Sequence, residues 1–137
     1  PAFKLYLVDV GLLAAMTDLD AKTLLRGNAI FTEFKGALTE QYVCQQLVSD
    51  LTAVPYYWSA ESSSGEVDFV LQHGGNVIPL EVKAEENLQA KSLKSFVSGS
   101  GLPFGVRASM SDFRRQDRLI NLPLYALSQL WETCDTF

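Results

Sequence analysis

An α/β fold, with a mixed central sheet flanked by helices, follows from three features of this sequence. A helix-period segment stands ahead of three strand-like segments, and a second helix and a further strand follow them. Glycine- and serine-rich stretches at 62–65, 74–75 and 98–101 separate these segments. The middle of the run, residues 65–83 (GEVDFVLQHGGNVIPLEVK), alternates apolar and polar positions on both sides of Gly74-Gly75, which is the pattern of a β-hairpin.

Taken in order, residues 3–10 (FKLYLVDV) read as a short strand closed by Gly11. Residues 12–17 make a helical turn or two, 20–26 another, and Gly27-Asn28 breaks the chain again. Asp9 reads as a turn or cap residue. The clearest helix spans residues 32–51, with Thr32 as its N-cap and Glu33 and Glu40 placing acid in its N-terminal half. At about 100° per residue, Phe34, Ala37, Leu38, Cys44, Leu47, Val48 and Leu51 fall along one broad arc. Glu40 and Gln41 land inside that arc. An unpaired buried carboxylate is costly. Either a metal or a shared polar network therefore compensates Glu40, or it lies at the stripe's edge and reaches water.

Residues 54–60 (VPYYWSA) form an aromatic-rich strand, and 66–72 and 77–83 are the hairpin strands. Asn87 caps a helix over 88–97 whose Leu93, Phe96 and Val97 face the core, and residues 98–101 end it. Residues 103–109 are the next strand, 112–118 a polar, arginine-rich loop, and 119–122 a short strand. Pro123 then opens a final helix reaching about residue 132, as proline at the first helical position does. Internal repeats, low-complexity tracts, a Walker phosphate loop and a GxGxxG are all absent from the sequence. The chain reads as one domain: an N-terminal extension (1–31), a core (32–110) and a C-terminal extension (111–137). With Pro1 in first place and a strand-like opening, it is expected to be a piece of a longer protein.

Composition narrows the class. Hydrophobic residues at 47% and charged residues at 20% suit a globular domain. No apolar run approaches the ~20 residues of a membrane span, and no signal-peptide pattern is present, so a cytoplasmic protein without a membrane partner is expected. Cys44 and Cys134 match no metal or redox spacing and read as reduced, buried thiols. The net charge of −5 argues against unaided tight binding to nucleic acid. The charge is uneven: residues 1–70 carry four basic and nine acidic side chains, whereas 71–137 carry seven of each. Lys91, Lys94, Arg107, Arg114, Arg115 and Arg118 all follow the hairpin, as a solvated surface or as a phosphate-tracking face.

The chemistry concentrates in the hairpin. A plain antiparallel register about Gly74-Gly75 sets Asp68 opposite Glu81 and Glu66 opposite Lys83. Val67, Phe69 and Leu71 then share a face with Ile78, Leu80 and Val82, and the charged residues share the other. Two carboxylates across a ladder repel, and a divalent cation between them removes the conflict. A solvated face with a Glu66–Lys83 surface ion pair is the plainer reading. Against it, Val70, Val77 and Pro79 leave the rest of that face apolar, which a fully solvated face would not be. His73 lies in the turn, too remote to act as a base, and Trp58 and Trp131 read as core residues.

Glu40 on a helix, Asp68 in G-E-V-D-F, and Glu81-Val82-Lys83 together resemble the PD-(D/E)XK nuclease superfamily, although Val67 stands where that signature has proline. KLYLVDVGLLAA, F-x-G-A-L-x-E at residues 34–40, YYWSA and IPLEVK widen the likeness over roughly residues 3–97. They resemble the nuclease-like C-terminal domain of bacterial and archaeal AAA+ ATPases, a family without an assigned function. The resemblance implies a restriction-endonuclease-like α-β-β-β-α-β core and Mg²⁺ (or Mn²⁺) held by Asp68, Glu81 and the Val82 carbonyl, with Glu40 binding directly or through water. It also implies Lys83 as the residue positioning the attacking water, DNA as substrate, and an ATPase module on the parent chain. A catalytically silent module, used for binding or for homo-oligomer contacts, is the alternative.

Overall fold

The computed structural model describes residues 3–18, 32–61, 65–84 and 89–137. The helix expected at 20–26, the serines at 62–64 and the Asn87 cap lie outside them. The described elements are α1 (Val10–Met16), α2 (Thr32–Ser49), β1 (Tyr56–Ser59), β2 (Glu66–His73), β3 (Asn76–Lys83) and α3 (Lys91–Gly99). After them come β4 (Gly105–Ser109), β5 (Arg114–Gln116), β6 (Leu119–Pro123), a 3-10 helix (Leu124–Gln129) and α4 (Leu130–Asp135). From α2 to β4 the order is helix, three strands, helix, strand, as expected.

These strands form a six-stranded mixed sheet of order β1-β2-β3-β4-β6-β5. The β1/β2, β2/β3 and β5/β6 pairs are antiparallel, and α3 carries the chain between the parallel strands β3 and β4. The β4/β6 pair is also parallel. Hydrophobic cores lie on both sides of the sheet. One unites Val43 and Leu47 of α2 with Phe69, Leu71, Leu80, Val106, Ile120 and the C-terminal Leu127 and Leu130. The other joins Leu93 and Val97 of α3 to Val67, Ala90 and Leu119. Helix α3 packs closely: a Cβ on Gly105 would lie 2.8 Å from Val97 Cγ2 and 2.9 Å from Leu93 Cδ1.

The hairpin register is the expected one, running from His73↔Asn76 through Val70↔Pro79 to Phe69↔Leu80. Gly74 (φ 56°) and Gly75 (φ 81°) supply the two positive φ angles that a tight two-residue hairpin turn requires. Pro79 causes no shift there. The irregularity lies on the other side of β2, where Tyr56 pairs with Val70 but Trp58 pairs with Val67. This bulge gives β2 one extra residue and interrupts its two-residue alternation. Val67 therefore belongs to the α3-side core, while Phe69 and Leu71 belong to the α2 side, which corrects the single face expected for all three.

Other departures have local causes. Among the described residues no strand pairs with residues 3–8, and helix glutamines bond the backbone of Leu7 and of Val10 at the start of α1 instead. Gln41 accepts from Leu7 N–H and donates to Leu7 C=O, both at 2.8 Å, and Gln45 accepts from Val10 N–H at 2.9 Å. Asp9 is the N-cap of α1, accepting from Leu12 N–H at 3.1 Å. On α2 the buried stripe runs through Gln41, Val43, Cys44 and Leu47, with Gln41 held by Leu7 of the N-terminal segment, and Val48 is 53% exposed. The arginine-rich stretch is not a loop: Arg114–Gln116 forms the exposed edge strand β5, paired with β6. Helix α3 begins at Lys91, later than expected. Pro123 ends β6 and caps a 3-10 helix, after which α4 begins at the buried Leu130. Both cysteines are free and buried. Trp58 lies against Phe96, with ring centroids 4.9 Å apart, and Trp131 stacks on His73 at 4.5 Å. Among the described residues no helix is long and apolar enough to cross a membrane.

Candidate functional site

Strands β2 and β3 part company at the end of the hairpin far from its turn. Their ladder runs out at Phe69↔Leu80, one pair short of Asp68 and Glu81. Beyond that point β2 stays with β1 as far as Ser59↔Glu66, and β3 stays with β4 as far as Lys83↔Ser109. Past the end of that ladder the Val82 N–H is taken up by a side chain of β2, with Asp68 Oδ2 accepting it at 2.7 Å. Asp68 and Glu81 are thus not a cross-strand pair as expected; Asp68 occupies the fork itself.

A cleft of about 280 Å³ opens there. Asp68, Glu81, Val82 and Lys83 line it from the sheet, Glu40 from α2 and Ser92 from the first turn of α3. All five residues singled out from the sequence therefore border one space. Lys83 Nζ pairs with Glu81 Oε1 at 2.7 Å, not with Glu66. Glu81 is 6% exposed, and its Oε2 is buried without a hydrogen-bond partner.

Glu40 is compensated by a polar network. Its Oε1 accepts from Lys4 Nζ at 2.9 Å and from the Tyr6 hydroxyl. The same Lys4 ammonium reaches Glu66 Oε1 at 2.7 Å and Asp68 Oδ1 at 3.3 Å. Burial is the largest influence on Asp68 and pushes its carboxyl above the ordinary carboxylate range. The Val82 N–H and Lys4 oppose that shift, and the Glu40 charge reinforces it. Burial alone would lower the Lys4 pKa, but hydrogen bonds to Glu66 and Glu40 and the charge of Asp68 raise it overall, so the amine stays an ammonium. Burial, then the hydrogen bond to Glu40, raises Tyr6, which stays a neutral donor.

Among the described residues no three carboxylate, imidazole or thiolate groups stand gathered as a ready ligand set. The donor chemistry nonetheless fits a hard divalent cation. Glu81 Oε2 is a carboxyl oxygen unpartnered among the described residues, and Asp68 Oδ1 is engaged by Lys4 at the longest of that lysine's three contacts. Lys4 is the part of the site that reading the sequence missed. Its signal was the alternation of Lys4 and Tyr6 in a segment taken for a strand.

A second polar group adjoins Glu81 across the sheet. Glu81 pairs in register with Arg107, Arg107 with Asn121, and Asn121 with Arg114. Arg107 is 5% exposed, so it belongs neither to a solvated surface nor to a phosphate-tracking face. Its Nε donates to Asn121 Oδ1 at 2.9 Å, which also accepts from Ser109 Oγ at 2.8 Å. Asn121 Nδ2 donates to the carbonyls of Ser111 and Asp112 at 3.0 and 2.9 Å. Burial lowers the Arg107 pKa and the Glu81 charge opposes that shift. His73 bonds Asp135 at 2.7 Å at the turn end of the hairpin and takes no part in the cleft.

Residues 35–127 match the family described as a domain of unknown function, DUF4143, and the chain belongs to that family. The matched stretch contains Glu40, Asp68, Glu81 and Lys83 and begins after Lys4 and Tyr6. No curated protein and no solved structure matches the chain.

Proposed function

We propose that this DUF4143 domain is a Mg²⁺- or Mn²⁺-dependent nuclease module that hydrolyses phosphodiesters in DNA, working with an AAA+ ATPase module on its parent chain. The observation that carries the reading is the fork between β2 and β3. There a carboxylate disfavoured by burial (Asp68), a buried carboxylate with an unpartnered oxygen (Glu81) and a lysine (Lys83) border one cleft. Scaffolds seldom keep such groups without a use. The resemblance to PD-(D/E)XK nucleases supports the same assignment.

A divalent ion there would polarise a phosphodiester and lower the pKa of water beside it. Asp68 would hold it through Oδ1, in place of its long contact to Lys4, and Glu81 through its unpartnered Oε2, with the Val82 carbonyl and Glu40 completing the protein's share. Lys83, whose side chain is 33% exposed, reaches the cleft beside Glu81. Its ammonium would orient the attacking water and offset negative charge developing on phosphorus. A bound cation also offsets the local acidity that would repel a nucleic acid.

The test is a cleavage assay on supercoiled, linear and single-stranded DNA with Mg²⁺ or Mn²⁺, run beside Asp68→Asn and Lys83→Ala. Cleavage by wild type that both variants lose establishes the enzyme. Isothermal titration that detects no divalent ion at millimolar concentration removes the site. A second reading has its own observation: Lys4 already pairs with Glu40, Glu66 and Asp68, as it would in a nuclease-fold module that binds without turning over. Metal binding without cleavage of any DNA form would favour it.

A further inference from the structure

We infer that Lys4 is an internal cation competing with the divalent ion for Glu40 and Asp68, so that residues 3–8 form an autoinhibitory strap beside the cleft. The inference rests on the reading of the cleft as a divalent-ion site and adds how that site is regulated.

The geometry supplies the competition. Lys4 Nζ contacts three carboxylates, Glu66 at 2.7 Å, Glu40 at 2.9 Å and Asp68 at 3.3 Å. Two of these carboxylates, Glu40 and Asp68, are ones the metal would use. Glu81, also on the cleft, keeps a buried oxygen without a hydrogen-bond partner among the described residues. The Lys4 ammonium therefore compensates the carboxylates of α2 and β2 and does not serve Glu81, whose Oε1 pairs with Lys83 and whose Oε2 is left over. A cation placed to serve Glu81 and Asp68 together would stand a few ångströms from Lys4 and be repelled by it.

The strap's anchorage suits a removable element. Its Leu7 backbone is bound by one helix side chain, Gln41, and Val10 just after it by another, Gln45, with no strand alongside among the described residues. Phe3, Leu5 and Val8 are 81%, 82% and 85% exposed, and Tyr6, whose ring centroid lies 5.7 Å from that of Phe69 and whose hydroxyl bonds Glu40, carries the strap's contact with the core. Glu40 and Glu66 line both the cleft and a neighbouring groove of about 460 Å³, which Lys4, Tyr6 and Leu13 also line. Lys4 thus forms part of the wall between them, and its withdrawal would expose the carboxylates from the strap side.

The test is isothermal titration of Mn²⁺ into the full chain without nucleic acid, comparing wild type, Lys4→Met and Gln41→Leu. Lys4→Met removes the competing charge and keeps the stem, and Gln41→Leu loosens the strap while leaving the cleft carboxylates intact. Both are expected to bind Mn²⁺ more tightly, Lys4→Met by about tenfold, the scale of removing one nearby unit charge at a part-exposed site. Circular dichroism melting run in parallel shows whether each variant is folded. Should Gln41→Leu fail to fold, Lys4→Arg replaces it: a cation is kept, and wild-type affinity is expected. Equal or weaker binding by a folded Lys4→Met overturns the strap while leaving the metal site standing. Binding by neither protein removes the metal site and the strap together.

Discussion

Two buried polar groups meet at the Glu81–Arg107 register pair, and they are finished differently. On the β4–β6 side, Asn121 uses both amide hydrogens and accepts twice at its oxygen, from Arg107 and Ser109. On the β3 side, Glu81 has one oxygen on Lys83 and one on nothing, and burial works against the charge of neighbouring Asp68. A satisfied network ties strands together and holds one arrangement. An unsatisfied one costs stability and is retained where another cation or ligand completes it. The contrast separates scaffold from site within a few ångströms of the same sheet.

The comparison breaks most visibly at Asn121. Asn121→Leu strips Arg107 and Ser109 of their acceptor and two carbonyls of their donor, and should cost about 3–5 kcal/mol in urea unfolding. A loss below about 1 kcal/mol would show that this network is not what joins β4 to β6. Next in size is Gly105→Ala, which drives a methyl into Val97 and Leu93 and should cost about 1–3 kcal/mol by the same measurement, from packing alone.

Substitution on the unsatisfied side should behave in the opposite sense. The Asp68 carboxyl lies above its ordinary value of 3.8 in the fold, so ionising it is harder folded than unfolded. Its penalty is absent below pH 3.8 and fully present above the raised folded value. Asp68→Asn removes that penalty and still offers an oxygen to the Val82 N–H. In metal-free buffer its stability relative to wild type should therefore rise as pH climbs through the carboxylate range, and any stabilisation by Mn²⁺ should vanish. A relative stability that falls over that range would contradict the assignment. The smallest effect is expected at Lys83→Ala. It leaves the buried Glu81 without its ion-pair partner, so about 1–3 kcal/mol of stability in urea unfolding should go together with cleavage, no more than at Gly105.

The extent to which the site could be read from the sequence follows from how local each determinant is. Gly74-Gly75 and the flanking alternation set the hairpin register through turn chemistry within a few residues, so the grouping of Asp68, Glu81 and Lys83 was legible beforehand. Glu40 could be marked as anomalous by helical projection, but its partners could not. Lys4 lies 36 positions from Glu40 and 64 from Asp68, a separation beyond any periodicity. The bulge that sends Val67 to one core and Phe69 to the other arises from pairing with β1, which β2's own pattern does not contain. Arg107 read as one of a set of surface cations, because its burial depends on Asn121 in another strand.

The sequence by itself determined the order of elements, the glycine turn and the carboxylates and lysine at one end of the hairpin, because helical and strand periods and positive-φ turns are short-range physics. Tertiary structure alone decided that Asp68 fills a fork and is not part of a ladder, that glutamines hold the N-terminal segment, and that an ammonium already stands among the acids. Those outcomes depend on which distant groups satisfy a buried charge or a bare backbone amide, and burial is a property of the assembled fold.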